Sequence, residues 1–299
     1  MPIIQANIDH EPQIRHLLRK GRHVFASFGH EDLTTLLEKQ MTLLAEEKGG
    51  VWGFISVEIE ERPPTLPLAA AQRAYLRALV LAQGRSPSHD VPLLMQSALQ
   101  KLNRAPQPLQ LIVYGGETWL TKPLLAIGFE LSERVEFLAL DLNRYPTPTD
   151  SPNPVAQLRP MHPDDIPAVA ELDAQAFDPL WHFGVKDLWE LMFRSRLQVA
   201  TINEQPVGYS ALSENGASKG AEAQLARLAV RPAVQGQGIG RQLLLDAIAY
   251  ARANRFVTVS LNTQTTNQRA QKLYRQLGFR PIGFIVPVLT KIVAFSGTD

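Results

Sequence analysis

The chain has no cysteine among its 299 residues. That excludes disulfides, thiolate metal sites and a cysteine acyl-enzyme, and leaves the compartment undecided. Charge of one sign is also missing, because 30 Lys and Arg against 29 Asp and Glu leave a formal net charge of +1. No global field then argues for nucleic acid, an anionic membrane or a polyacidic substrate. No run approaches the roughly 18 apolar residues that a membrane span needs. Met1-Pro2-Ile3-Ile4-Gln5-Ala6-Asn7 lacks the basic segment and apolar stretch of a signal peptide. The 7 histidines show no ligand spacing such as His-x-x-x-His, so no metal is expected. His10, His16, His23 and His30 read as solvated or packing residues, and no Ser-His-Asp arrangement has local support. A soluble cytoplasmic protein is expected. With 45% hydrophobic and 20% charged residues it can bury a substantial core, and its length suits two domains.

A proline-rich stretch, Arg144-Tyr145-Pro146-Thr147-Pro148-Thr149-Asp150-Ser151-Pro152-Asn153-Pro154, has almost nothing apolar and favours extended chain. It reads as a linker (146–154) between domains at 1–145 and 155–299. The two sides resemble one another. Ala78-Leu79-Val80 and Gly128-Phe129 stand 48 residues apart, as do Leu228-Ala229-Val230 and Gly278-Phe279, and the offset between the copies is 150. Arg77 falls opposite Arg227. Val91, Leu94, Met95, Ala98, Leu99 and Leu102 have helical spacing, with Asp90 as cap. Leu109, Leu111 and Val113 alternate as a strand. Ile239, Leu243, Leu244, Ala247, Ile248 and Ala251, then Val257, Val259 and Leu261, repeat that order. The expected fold is α/β (α+β): two tandem domains, each a mixed sheet flanked by helices.

Gln235-Gly236-Gln237-Gly238-Ile239-Gly240 joins a strand to the helix that begins near Ile239. Its glycines let backbone N–H groups approach an anion, and the helix N-terminus adds unpaired donors and a favourable dipole. Arg241 opposes that dipole unless a phosphate lies across from it. The spacing fits neither the P-loop nor the dinucleotide fingerprint.

Leu228-Ala229-Val230-Arg231-Pro232-Ala233-Val234-Gln235-Gly236-Gln237-Gly238-Ile239-Gly240 resembles motif A of the GNAT acetyltransferase family. Asn267-Gln268-Arg269-Ala270-Gln271-Lys272-Leu273-Tyr274-Arg275-Gln276-Leu277-Gly278-Phe279 resembles that family's Asn-x-x-Ala-x-x-Leu-Tyr-x-x-x-Gly-Phe motif. The resemblance covers roughly residues 155 to 290, and reaches the first half only through the repeat. It implies acetyl-CoA, or another short acyl-CoA, as co-substrate and direct transfer to a primary amine. Gln235 to Arg241 would hold the diphosphate, and the backbone of Leu228, Ala229 and Val230 the pantetheine arm. Asn262, Asn267 and Ala270 would add contacts, Asn267 also capping its helix.

Tyr274 shares a helix face with Ala270, Leu273 and Leu277, and a phenol titrating near ~10 stays protonated at neutral pH. The resemblance makes it the general acid. Relatives place a glutamate where this chain has Gln224; Glu222, on the same strand face, is the substitute candidate for a base, beside a water chain or loss of the proton to bulk. Trp181, His182 and Phe183 fall where relatives place acceptor loops, and either line the amine pocket or pack. The offset puts Arg85-Ser86-Pro87-Ser88-His89-Asp90 opposite the glycine loop and Leu124 opposite Tyr274. The first copy is therefore expected to bind no CoA. A non-catalytic acyl-CoA sensor is the rival reading. A small-molecule, peptide or protein amine, and a homodimer, are all compatible with the sequence.

Overall fold

The computed structural model describes residues 2–27, 33–48, 50–144, 154–215 and 222–294; residues 145–153 of the proline-rich stretch, and His30, lie outside them. The chain forms two compact units that are not consecutive in sequence. Unit 1 takes Met1–Arg62, Ala71–Arg134 and Val286–Asp299, and unit 2 takes Pro63–Ala70 and Val135–Ile285. A boundary drawn at the linker therefore does not follow the compact units: a strand end of each half is counted in the other half's unit.

In unit 1, β1 (Ile3–Gln5), β3 (Met41–Glu47), β4 (Gly50–Ile59), β5 (Gln72–Leu81) and β6 (Leu109–Tyr114) lie in that order, with β2 (His23–Ala26) on β5. All neighbours are antiparallel except β5 and β6, which are parallel. β6 then pairs antiparallel with the end of β13 (Arg280–Val293), Leu109 opposite Val293 and Tyr114 opposite Val288. Strand alternation sends side chains to both faces. Leu43, Ile55, Leu79 and Leu81 meet α3 (Pro87–Leu102) and α4 (Thr118–Ala126). Leu44, Phe54, Ala78 and Val80 meet α1 (Glu11–Lys20) and α2 (Leu33–Lys39).

Unit 2 repeats the plan. β8 (Gln157–Pro160), β9 (Ser195–Ile202), β10 (Gln205–Asn215), β11 (Glu222–Val230) and β12 (Thr258–Gln264) follow in order, with only β11 and β12 parallel. β12 pairs antiparallel with the end of β7 (Glu130–Asp141), Val259 opposite Leu140 and Gln264 opposite Val135. α5 (Ile166–Ala176) and α6 (Val185–Arg194) cover one face through Val199, Tyr209 and Ala229. α7 (Ile239–Ala253) and α8 (Gln268–Gln276) cover the other through Leu212, Ala223, Leu225, Val259 and Leu261.

The repeat read from a tripeptide and a dipeptide in each half extends in the structure to sheet order, to which pair is parallel and to helix placement. A bulge interrupts the strand before each helix, leaving Arg77 unmatched in β5 and Ala226 in β11. Arg77 is thus opposite Ala226 at the bulge, one position from the simple offset. α3 also starts earlier than the sequence suggests: Pro87 opens it and Ser86 is the N-cap, so Asp90 stands inside the first turn. Proline at a helix start loses nothing by lacking an N–H, which is why it marks the boundary.

Candidate active site

β11 pairs with β12 only from Glu222 to Leu225. After the bulge at Ala226 the strand continues against β10 alone, Leu228 opposite Ser210 and Val230 opposite Gly208. A bulge adds local twist and bends a strand away from its partner. The edge of β11 from Ala226 to Val230 is therefore out of the parallel ladder, and there a cavity of about 350 Å³ opens. It is lined by the end of β11 (Leu228, Ala229, Val230), the following loop (Gln235, Gly236, Gly238) and the first turn of α7 (Ile239, Gly240, Arg241). Opposite stand Asn267, Arg269, Ala270, Leu273 and Tyr274 of α8, and Ala176 and Phe177 close it at the end of α5.

Two glycines make the loop possible. Gly236 and Gly238 have φ of +90° and +95°, a region that L side chains rarely adopt, and Gly238 is the N-cap of α7. Among the described residues no side chain caps α7, and its first turn holds no acidic residue. Gln235 folds back, Nε2 donating to Val230 O at 2.9 Å, while its Oε1 accepts from Arg269 Nη1 at 2.7 Å. On α8, Asn267 Oδ1 accepts from Ala270 N at 3.1 Å, so the cap expected from sequence is present. Gln271 Nε2 donates to the carbonyls of Gln264 and Thr265, fastening the turn that leads from β12 into α8.

Tyr274 is 6% exposed and packs against Phe279 with its ring tilted, centroids 5.9 Å apart. Burial pushes its phenol up to about 12, with the Arg227 guanidinium a smaller opposing influence. The proton is held firmly at any ordinary pH. This argues against a role as base, and leaves the neutral phenol as a proton donor whose transfer must be driven by the charge forming on its acceptor.

Beside the cavity lies a buried polar cluster that the sequence reading missed. Asp173 of α5, fully buried, accepts from Arg227 Nε and Nη2 at 2.8 and 2.6 Å, from Tyr209 Oη at 2.5 Å and from Phe183 N at 2.6 Å. Arg227 Nη2 also donates to Trp181 O at 2.8 Å, and its guanidinium lies 3.6 Å from the ring centre of Phe177 and 4.0 Å from that of Phe183. Burial works against the charge of Arg227, but Tyr209 and Asp173 outweigh it and hold its pKa above the ordinary value. Burial and the Asp173 carboxylate push the Tyr209 phenol well up. The cluster ties the segment after α5 to the middle of the sheet. A signal existed: Asp173 continues the apolar face of Ile166, Val169 and Ala170, and a charge on such a face needs a buried partner.

Of the residues singled out from sequence, the cavity unites Leu228, Ala229, Val230, Gln235, Gly236, Gly238, Ile239, Gly240, Arg241, Asn267, Ala270 and Tyr274. Gln237 is exposed on the loop and Asn262 exposed on β12, and neither lines it. Glu222 is six residues before Leu228, about 20 Å along a strand, and its exposed carboxylate accepts from Ser260 Oγ. That distance removes it as a base acting directly in this cavity. Trp181, His182 and Phe183 line no part of the cavity: His182 is 1% exposed, and the segment is packed by the Arg227 cluster and by Pro63 against Gly184. The missed lining residues are Ala176, Phe177, Arg269 and Leu273.

Unit 1 treats the equivalent turn differently. Asp90, 2% exposed, accepts from Ser86 N at 2.9 Å and from Arg85 Nε and Nη2 at 3.0 and 2.9 Å. Arg85 also reaches Glu47 at 3.1 Å and stacks 3.9 Å from the Trp52 ring centre. Burial pushes the Asp90 carboxyl up, but Arg85, His89 and the Ser86 N–H together hold it below the usual value. An internal carboxylate thus stands at the start of α3, where α7 presents bare backbone.

Fold and site together define an α/β domain built on a splayed parallel strand pair, with a glycine turn at a helix N-terminus and a buried tyrosine lining one cavity. Residues 166–279 match the model of the Acetyltransferase (GNAT) family. Over 77 residues the chain is 39% identical to the N-alpha-acetyltransferase RimI of Mycobacterium tuberculosis (strain ATCC 25618 / H37Rv), covering 26% of this chain and 47% of the relative. Over 155 residues it is 28% identical to the spore coat polysaccharide biosynthesis protein SpsD of Bacillus subtilis (strain 168), covering 47% and 52%. The chain matches between 33% and 52% of the length of these first curated relatives. A solved tandem GNAT protein from the clavulanic acid biosynthesis pathway (without AcCoA) is similar over 100% of this chain and 99% of its own, with TM-score 0.65 and 16% identity. At that identity the likeness shows the fold. Among the described residues no helix is long and apolar enough to cross a membrane.

Proposed function

We propose that unit 2 transfers an acetyl group from acetyl-CoA directly to a primary amine. The observation that carries this reading is the convergence on one cavity of the unladdered end of β11, the Gly236–Gly240 turn and Tyr274. The cavity fits the ligand's chemistry. Its glycine turn and uncapped helix N-terminus suit a diphosphate, Arg241 and Arg269 supply positive charge, and the apolar walls of Phe177, Leu228 and Leu273 suit the pantetheine arm.

Acetyl-CoA supplies the activated thioester carbonyl. The backbone at Leu228 and Val230 orients the arm and polarises that carbonyl. The amine nitrogen bonds to the carbonyl carbon, the carbon–sulfur bond breaks, and Tyr274 Oη gives its proton to the departing sulfur. Among the described residues lining the cavity there is no carboxylate or imidazole. The surplus proton on nitrogen therefore passes to water, and Tyr274 is reprotonated from solvent. Unit 1 binds no CoA, because Asp90 repels a phosphate from the turn before α3.

The same lack of a base is what favours the rival reading, an acyl-CoA sensor without turnover. Thermal unfolding with acetyl-CoA, on wild type and Gly238→Glu, tests the site. Ligand at about 100 times its Kd adds roughly 2.7 kcal/mol to the domain it binds. A shift in wild type that a folded Gly238→Glu protein lacks supports the site, and no shift in either sinks it. Release of CoA thiol across an amine panel then separates enzyme from sensor.

A further inference from the structure

We propose that Phe177, pinned by the Asp173–Arg227 ion pair, is the end wall that limits the acyl group of the thioester to a short chain. This rests on the acyltransferase reading and deepens it, since it names which acyl group the same cavity admits. The cavity runs along the end of β11. At one extreme Val230 O holds Gln235, and the glycine turn begins. At the other, Phe177, the C-cap of α5, closes the space. Arg227 marks that extreme, its guanidinium carbon over the Phe177 ring at 3.6 Å from the centre. Arg227 precedes Val230 by three residues, roughly 10 Å of strand. A thioester with its diphosphate at the turn therefore sends its acyl group towards Arg227, where Phe177 stands in the way.

The wall is held from two sides. Asp173 takes Nε and Nη2 of Arg227 as a fork, at 2.8 and 2.6 Å, and Trp181 O accepts from Nη2 at 2.8 Å. Three bonds on one planar group fix its plane, and the plane fixes where a ring can stack on it. Both partners are shielded from water, the Arg227 side chain being 9% exposed and Asp173 fully buried, which strengthens the attraction between cation and ring. Tyr209 Oη also donates to Asp173, so the carboxylate is itself tied to β10. On the backbone side, Phe177 N donates to Asp173 O at 3.0 Å. A loose phenyl ring would swing aside for a longer chain. One stacked on a fixed cation at a fixed helix end resists. Phe177 sets the length, and Arg227 is the positioning residue behind it.

The test is calorimetric titration of the full chain with CoA, acetyl-CoA, butanoyl-CoA and hexanoyl-CoA, for wild type, Phe177→Ala and Arg227→Lys. Wild type is expected to bind CoA and acetyl-CoA alike, and hexanoyl-CoA at least about tenfold more weakly, the low end of what one surplus methylene is worth at a closed apolar site. Phe177→Ala should close that gap and leave CoA itself unchanged. Arg227→Lys keeps the charge but loses the fork and the stacking plane, and should narrow the gap in the same direction. Should the buried lysine prevent folding, Phe177→Ala still decides, because Phe177 is only partly buried. Wild type that binds hexanoyl-CoA as tightly as acetyl-CoA would overturn the proposal. So would a Phe177→Ala protein that keeps the gap, or that loses CoA as much as the acylated ligands, since Phe177 would then line only the arm. An unchanged gap in a folded Arg227→Lys protein would overturn the role given to Arg227. If wild type binds no CoA at all, the acyltransferase reading falls, and the proposal with it.

Discussion

At the scale of single residues, two ionisable side chains carry opposite lessons about burial. Tyr274 is buried, and the loss of water around it pushes its phenol up to about 12. Tyr274→Phe should lower kcat by ~10²–10⁴, the usual worth of a general acid, and leave acetyl-CoA affinity unchanged in a direct titration. The wild-type kcat profile should show no alkaline limb from this group below about pH 11. Its neutral form is the one the fold favours, so the associated stability is present below the unfolded phenol's pKa and is lost only as pH rises through the folded value. Asp90 is buried among donors, and they outweigh burial. Its contribution is present above the unfolded carboxylate value, near ~3.9, and is lost as pH falls through the lower folded value. Asp90→Asn should be destabilised by about 1–3 kcal/mol near neutrality. The gap from wild type, read by denaturant unfolding, should close as the medium is acidified.

Elements set these residues in place through their ends. α8 aims Tyr274 because Asn267 caps it and Gln271 fastens the preceding turn. Asn267→Ala should cost about 1 kcal/mol in unfolding free energy and lower kcat as well, since the capped helix carries the proton donor. At the start of α7 the glycine requirement is conformational, because nothing lies within 4 Å of a β-carbon built on Gly238. Gly238→Ala should cost about 1–2 kcal/mol from backbone strain alone. At Gly208 the requirement is spatial: a β-carbon would stand 2.9 Å from Ala229 O, so Gly208→Ala must push β10 from β11. Unfolding curves should show Gly208→Ala as the more damaging of the two.

Across the whole molecule, the units and the sequence halves differ. Leu138, Leu140 and Leu142, ahead of the proline-rich stretch, are core residues of unit 2, and Leu289 and Val293 are core residues of unit 1. A fragment of residues 155–299 keeps every motif but loses β7 and leaves β12 as an open edge. Each buried leucine is worth about 1.5–3 kcal/mol. That fragment should therefore unfold at lower denaturant than residues 130–299, or aggregate through its edge. Equal stability of the two would show that β7 adds nothing to unit 2.

The sequence by itself determined what is local. The glycine turn, the capped helix with an inward tyrosine, the alternating strands and the defect at Asp90 all follow from residues within a few positions of one another. Propensity, capping and periodicity act at that range, so they can be read directly. The repeat was legible too, because two copies under one plan keep their glycines and hydrophobic spacing. Only the tertiary structure decided the rest. Asp173 and Arg227 meet across 54 residues, Arg269 and Gln235 across 34. Which strand ends complete which sheet depends on pairing energies that any apolar alternating strand offers equally. Glu222 left the candidate site, and Phe177 and Arg269 entered it, for the same reason. A strand's period fixes the face of a side chain, while its distance from a cavity depends on where neighbouring elements splay apart.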